Sequence, residues 1–396
     1  MNREKFRKYE DLYRTALLDD CVPFCLKHAQ DRAYGGYFQC LDYDGSVICT
    51  DKFMWSQNRV AWIFSMLYNN LERKPEWLDM AKLGIDFLKK HGRDENGDWY
   101  FALDRKGKPI VQPYNIFSDF FAVMAFAEYS KATGDRESAD IAIKTYERIQ
   151  QRKDNPKGKY NKIITENRNL KNLAFPMINI NVAGILKSIK PDPVYDMIIN
   201  EAKEEIMTRF LDRKNRVVLE NIALDDTPMF DIYEGRHINP GHGIETMWFI
   251  MMVSKQQHDW QTIKDACEAV KWLLDFGWDK EYGGIFYFMD LFGKPHVELC
   301  WDMKLEWVHV EALIATIMGY YLTGDLELLQ WFEKIHDYTW QHFPDRIWGE
   351  WYKYLNREGK VNNRCKSNKW QNFFHLPRAL YLVSKICKAI AEGSDF

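Results

Sequence analysis

Long apolar runs are missing from this chain. Runs such as MWFIMMV at 247–253 fall far short of the roughly 20 residues a bilayer crossing needs. The opening residues, MNREKFRKYEDLYRTALLDD, carry charge from the start and hold no signal-peptide core. No C-x-x-C pair occurs, so zinc-ribbon spacing is absent. The eight cysteines stand at 21, 25, 40, 49, 267, 300, 365 and 387, with Cys21 and Cys25 on one helical face as small hydrophobes. Together these absences predict a cytoplasmic protein that does not enter a membrane. An excess of one charge is lacking too: 54 Lys and Arg against 57 Asp and Glu leave −3, which points to no nucleic-acid partner. There is no phosphate-binding G-x-x-x-x-G-K-[ST], no dinucleotide fingerprint, no H-E-x-x-H and no G-x-S-x-G. Nor does a Pro/Ser/Gly-rich linker divide the sequence, so residues 1–396 read as one domain.

What is present is apolar and aromatic. Hydrophobic residues make up 46% of the chain, enough for a large core, and the 15 tryptophans stand out. Indole and phenol rings suit sugar-lined clefts, though most of them have the simpler use of filling a thick core. Helical periodicity recurs over 3–29, 54–71, 75–91, 115–133, 135–152, 172–188, 193–210, 241–257, 259–276, 304–323, 325–341 and 370–392. Gly134-Asp135 and Gly324-Asp325 read as a terminal glycine followed by an N-cap, the junction of a tight αα-hairpin. A second unit recurs between the helix pairs: GGYFQCLDYDGSVI from Gly35, NGDWYFALDRKGKPI from Asn96, GGIFYFMDLFGKP from Gly283 and GEWYKYLNREGKV from Gly349. Each alternates aromatics and then places Asp or Asn shortly before a turn glycine, a β-hairpin signature. A weaker copy begins at Arg213. Twelve helices in six antiparallel pairs, with hairpin loops on one face, predict an all-α (α/α)6 barrel; an open solenoid is the rival.

In such a barrel the first turns of the inner helices face a common funnel. Five clusters fall there: TDKFMWSQNR (50–59), QPYNIFSD (112–119), NPGHGIE (239–245), MKLEWVHVE (303–311) and KWQNFFHLPR (369–378). Polar groups at apolar helix starts are poor for folding alone, so their recurrence argues for a shared cleft. His242 and Glu245 lie three apart on one helix face, and the glycines beside His242 are read as clearing room for a ligand. The plainer alternative is a core histidine with a capping carboxylate. His375 has apolar neighbours and draws interest only from its matching place on another inner helix, where Trp370 precedes it. Arg59 follows Trp55 by four, as a sugar clamp or a cation–π pair. Lys304, Trp307 and Glu311 share a face, which leaves His309 pointing elsewhere or to the rim. The same His242, Glu245, His309, Glu311 and His375 offer metal ligands, but at no familiar spacing, so no metal is expected.

These segments resemble the N-acylglucosamine 2-epimerase family in order and over most of the chain. K-F-M-W-x-Q-x-R at 52–59 and N-P-G-H-x-x-E-x-x-W at 239–248 are specific in combination. The resemblance implies an isomerase that interconverts N-acetylglucosamine and N-acetylmannosamine. His242 and His375 match the family's acid–base pair, and Arg59 and Glu311 match its other essential polar groups. From the clusters, Trp55, Glu245, Lys304, Trp307 and Trp370 are expected to bind the substrate; the resemblance implies a homodimer, and no cofactor is expected to be required. ATP is implied as an allosteric activator at the loop NPKGKYNK, through Lys157, Gly158 and Lys159. The direction, towards sialic acid precursors or away from sialic acid, stays open. One departure is Glu306, where relatives often carry an aromatic; it puts the shape of the sugar pocket in question. Within the same barrel, aldose–ketose isomerases and disaccharide 2-epimerases are the neighbouring activities, and a non-catalytic binding protein is the alternative of another class.

Overall fold

Alternate helices differ in how much of their circumference is apolar, and that difference sorts them into two layers. The computed structural model describes residues 3–155, 157–160, 162–164 and 166–396. Its helices are α1 (Arg3–Thr15), α2 (Val22–His28), α3 (Met54–Asn70), α4 (Pro75–His91), α5 (Ile116–Thr133), α6 (Arg136–Arg152), α7 (Ala174–Ile189), α8 (Pro193–Glu205), α9 (Tyr233–Arg236), α10 (Pro240–Gln256), α11 (Trp260–Gly277), α12 (Glu306–Thr323), α13 (Leu326–His342) and α14 (His375–Glu392). In α12 every residue from Glu306 to Tyr320 is buried, as only an inner helix requires. In α6 burial follows a stripe, with Ile141, Ala142, Thr145, Tyr146 and Ile149, as an outer helix requires. The inner helices neighbour one another in the order α3, α5, α7, α10, α12, α14. Phe64 stacks on Phe373 and Trp62 meets Phe374, both at 5.4 Å between ring centroids, and these pairs close the ring from α14 to α3. Each inner helix is backed by one partner: α4 on α3, α6 on α5, α8 on α7, α11 on α10, α13 on α12 and α1 on α14. The result is the closed (α/α)6 barrel, not the solenoid.

The expected junctions form as read. Gly134 and Gly324 take φ of 75° and 73°, and Asp135 and Asp325 accept from the N–H of Glu137 and Glu327. The first helix, expected unbroken over 3–29, is instead interrupted by a π-turn at Ala16–Cys21. Pro23 follows that turn and has no N–H to continue the regular ladder. Three inner helices start two or more residues later than expected, α7 at Ala174, α12 at Glu306 and α14 at His375. Among the described residues no helix is long and apolar enough to cross a membrane.

Three of the four repeated units fold as antiparallel hairpins: Cys40–Leu41 with Val47–Cys49, Ala102–Leu103 with Pro109–Val111, and Tyr354–Leu355 with Val361–Asn363. The unit at Gly283 does not close on itself. Its Met289–Asp290 pairs with His237–Ile238, because the Arg236 Nε–H donates to Asp290 at 2.9 Å and that strand takes the edge a returning arm would need. The weaker copy also differs. Leu211–Asp212 pairs with Val217–Val218, while Asn221–Ala223 crosses to Leu170–Asn172.

A buried ion cluster repeats beneath two of the hairpins. Lys52 Nζ donates to Asp31 at 3.0 Å, and Arg105 Nε reaches the same oxygen at 3.0 Å. Lys304 Nζ donates to Asp279 at 2.9 Å, and Arg357 Nε reaches that oxygen at 3.0 Å. In each, a lysine two residues before an inner helix is stapled to an aspartate after an outer helix.

Candidate active site

The N-terminal ends of the inner helices converge on a cavity of about 290 Å³, a size that takes one small ligand. Polar and aromatic side chains gather on its α3, α10, α12 and α14 sides. Asn239 caps α10, its side chain accepting the His242 N–H at 3.2 Å, which sets the first turn that carries His242. The His242 Nδ1–H donates to Glu220 at 3.0 Å, leaving Nε2 to face the cavity. Glu220 is buried and takes a further bond from the Asn172 side chain at 3.4 Å. Burial works to lower the His242 pKa, but the Glu220 carboxylate outweighs it, and the net shift is upward from 6.5.

His375 opens α14 and is held differently. Its Nδ1–H donates to Glu311 at 2.8 Å, yet Arg378 Nη2 donates to the same oxygen at 2.6 Å and the Trp248 indole to the other at 2.8 Å. Arg378 also bonds Glu245. Burial, assisted by the positive charges of Arg378 and Arg59, pushes the His375 pKa well below 6.5. Trp307 on α12 touches both imidazoles, with ring centroids 5.3 Å from His242 and 5.4 Å from His375. Two imidazoles, carried by α10 and α14, therefore contact one indole and line one cavity, which puts an acid and a base within reach of one ligand.

Arg59, on the second turn of α3, lines the cavity among aromatic faces, its guanidinium 4.7 Å from Trp55, 4.0 Å from Phe121 and 4.6 Å from Phe374. Among the described residues its buried Nε has no hydrogen-bond partner, and burial lowers its pKa to about 9, which still leaves a cation at neutral pH. That guanidinium is placed to meet an oxyanion. Trp370 meets Trp55 edge-on at 5.4 Å at the rim.

Several sequence expectations need correction. Lys304 is fully buried on Asp279 and does not reach the cavity; the helical face it was to share with Trp307 does not exist, because Lys304–Leu305 is a strand. His309 is not at the rim but enclosed, accepting the Ile285 N–H at 2.9 Å and donating to the Leu305 carbonyl at 2.7 Å. The glycines beside His242 serve packing: a Cβ on Gly241 would lie 2.6 Å from Trp307, and one on Gly243 2.8 Å from Leu273. Glu306 lies away from the sugar pocket, buried with Lys353 at 3.8 Å, so its departure from the relatives' aromatic leaves the cavity wall untouched. Glu311 lies behind His375 and does not line the cavity.

Among the described residues, Glu245, Glu311 and His375 are the one group whose ligand atoms converge closely enough for a metal ion, but Arg378 Nη2 bonds both carboxylates, stands 3.3 Å from His375 Nδ1 and occupies the position such a cation would take. Glu220, Arg378, Trp248, Tyr287 and Asn181 were not singled out from sequence. Arg378 had a signal, lying one turn after His375; Glu220, 22 residues from His242, had only its place in an apolar VVLEN run.

The family profile described as N-acylglucosamine 2-epimerase (GlcNAc 2-epimerase) matches residues 36–379. The chain belongs to the N-acylglucosamine 2-epimerase family. It is similar to the N-acylglucosamine 2-epimerase of Mus musculus, 34% identical over 385 residues that cover 95% of this chain and 91% of that one. A cellobiose 2-epimerase of Dictyoglomus turgidum is more distant, 25% identical over 92% of this chain and 95% of its own. Among solved structures, the cellobiose 2-epimerase from Bacillus thermoamylovorans B4167 shares the fold, with a TM-score of 0.83 at 22% identity, covering 96% of this chain and 99% of that one. The epimerase family and the barrel implied by the sequence motifs are thus both found.

Proposed function

We propose that the chain interconverts N-acetylglucosamine and N-acetylmannosamine by passing the C2 proton between His375 and His242. The observation that carries this reading is the single indole, Trp307, which contacts both imidazoles in one cavity. A reducing sugar opens to its aldehyde, and the carbonyl makes the C2 hydrogen acidic. Neutral His375 takes that proton, the electron pair moves onto the C1 oxygen beside Arg59, and protonated His242 returns a proton to the opposite face of C2. The reverse reaction exchanges the two roles.

Incubating the purified chain with N-acetylmannosamine and following proton NMR tests this. The N-acetylglucosamine anomeric signals are expected to grow to a fixed ratio. No reaction, or a ketose product, contradicts it; cellobiose turnover in its place favours the disaccharide reading, and inertness across a panel of free sugars favours a binding protein.

Regulation by ATP is proposed for the loop after α6. Arg152 holds Asp119 at 3.0 Å and the Tyr160 hydroxyl donates to Gln112 at 3.1 Å, so the loop is tied to the start of α5, whose Phe117 and Phe121 line the cavity. Lys157 is exposed on it and Gly158 takes a φ of 52°. Pro156, Asn161 and the side chain of Lys159 lie outside the described residues. ATP is expected to raise turnover, and Lys157→Ala to weaken that response; unchanged turnover with ATP contradicts it. A cytoplasmic homodimer acting in sialic acid metabolism completes the reading. All eight cysteines are free thiols, which supports a reducing compartment.

A further inference from the structure

Two asparagines on α7 face opposite ways. Asn179 turns outward and accepts the Tyr146 hydroxyl of α6 at 2.7 Å. Asn181, two residues and roughly 200° further round the helix, lines the cavity and has no hydrogen-bond partner among the described residues. Beside it on α5 and α7 are Phe117, Met124, Ala174, Met177 and Ile178, which makes a wall apolar except for one carboxamide. The ring order sets α7 across from α14 and α5 across from α12, so this wall faces His375 and Trp307.

We propose that this wall is the acyl subsite, with Asn181 bonding the 2-acylamino amide and Met177 and Ile178 bounding the acyl methyl. It rests on the N-acyl sugar reading above. In the planar intermediate the two imidazoles take the two faces of C2, and its three remaining substituents leave in the plane. The C1 oxygen belongs with Arg59. The hydroxylated C3–C6 chain needs several polar partners or open solvent. The acylamino group needs one amide partner and apolar room, which is what α5 and α7 present. A carboxamide both donates and accepts, so it meets either half of the acyl amide.

The test compares the full chain with Asn181→Leu, Met177→Ala and Ile178→Ala on N-acetyl-, N-propanoyl- and N-butanoylmannosamine, reading kcat and KM by NMR. Asn181→Leu is expected to raise KM for the acetyl sugar about tenfold while kcat stays within roughly threefold, the loss of one hydrogen bond. The alanine variants are expected to shift preference towards the butanoyl sugar by about tenfold or more, the scale of a methylene in a pocket. Retained kcat shows that the variants fold. An unchanged KM in Asn181→Leu, or an unchanged acyl-length preference in both alanine variants, overturns the subsite. A wild-type chain that epimerises none of the three sugars overturns the underlying reading, and the subsite with it.

Discussion

Glu220 gives His242 most of its carboxylate, whereas Glu311 divides its charge among His375, Arg378 and the Trp248 indole. The consequence is a pair of like residues with separated protonation. With the His242 pKa raised above 6.5 and the His375 pKa depressed below it, the resting site at pH 6.5 holds one acid and one base. Turnover is expected to fall on the acid side as His375 takes up a proton, and on the alkaline side as His242 loses one. Glu220→Gln removes the anion that raises His242, so the alkaline limb of the kcat/KM profile should move to lower pH; an unmoved limb contradicts the assignment. The histidines and Arg59 were legible in sequence because their residue types and motifs announce chemistry. Their partners were not: Glu220 reaches His242 from the bend between Val217–Val218 and Asn221–Ala223, and only the folded chain brings the two together. Lys304 misled for the opposite reason, because a lysine two residues before a helix can point into a funnel or under a hairpin, and the chain pattern is the same.

At the level of elements, the hairpin staples and the helix crossings bear the positioning. Lys304→Met leaves Asp279 with Arg357 alone in a buried site and is expected to cost about 3–5 kcal/mol in unfolding free energy, with KM unchanged. Denaturant unfolding beside steady-state kinetics checks this, and a raised KM without lost stability would return Lys304 to the sugar pocket. Gly241→Ala sets a methyl against Trp307 where α10 crosses α12. A cost of about 1–3 kcal/mol is expected from overpacking. A fall of roughly 100-fold in kcat should accompany it, since the indole that both histidines touch must move. Most helix positions were readable, because 3.6-residue periodicity and the Gly-Asp junctions are local, though the short α9 and the break at Ala16–Cys21 were not. The failed hairpin at Gly283 was not, because its edge is taken by His237–Ile238, more than fifty residues away in sequence.

Across the whole molecule, closure of the ring is what turns scattered motifs into one site. His242 and His375 stand on α10 and α14, separated in the ring by α12, and that spacing places Trp307 between them. An open solenoid would keep every helix pair and lose the juxtaposition of α3 with α14 that brings Arg59 to Phe374. The sequence pattern supported closure by repeat number alone; the aromatic pairs across the seam, Phe64 with Phe373 and Trp62 with Phe374, become recognisable only once the ring exists. The two-histidine pair is tested most directly by epimer interconversion in heavy water with His242→Asn and His375→Asn. The wild-type chain should convert N-acetylmannosamine to N-acetylglucosamine carrying deuterium at C2. Each variant should lose interconversion by about 100-fold or more, the scale of one acid–base group, while retaining exchange of at most one epimer. Interconversion at the wild-type rate in either variant would contradict the pair.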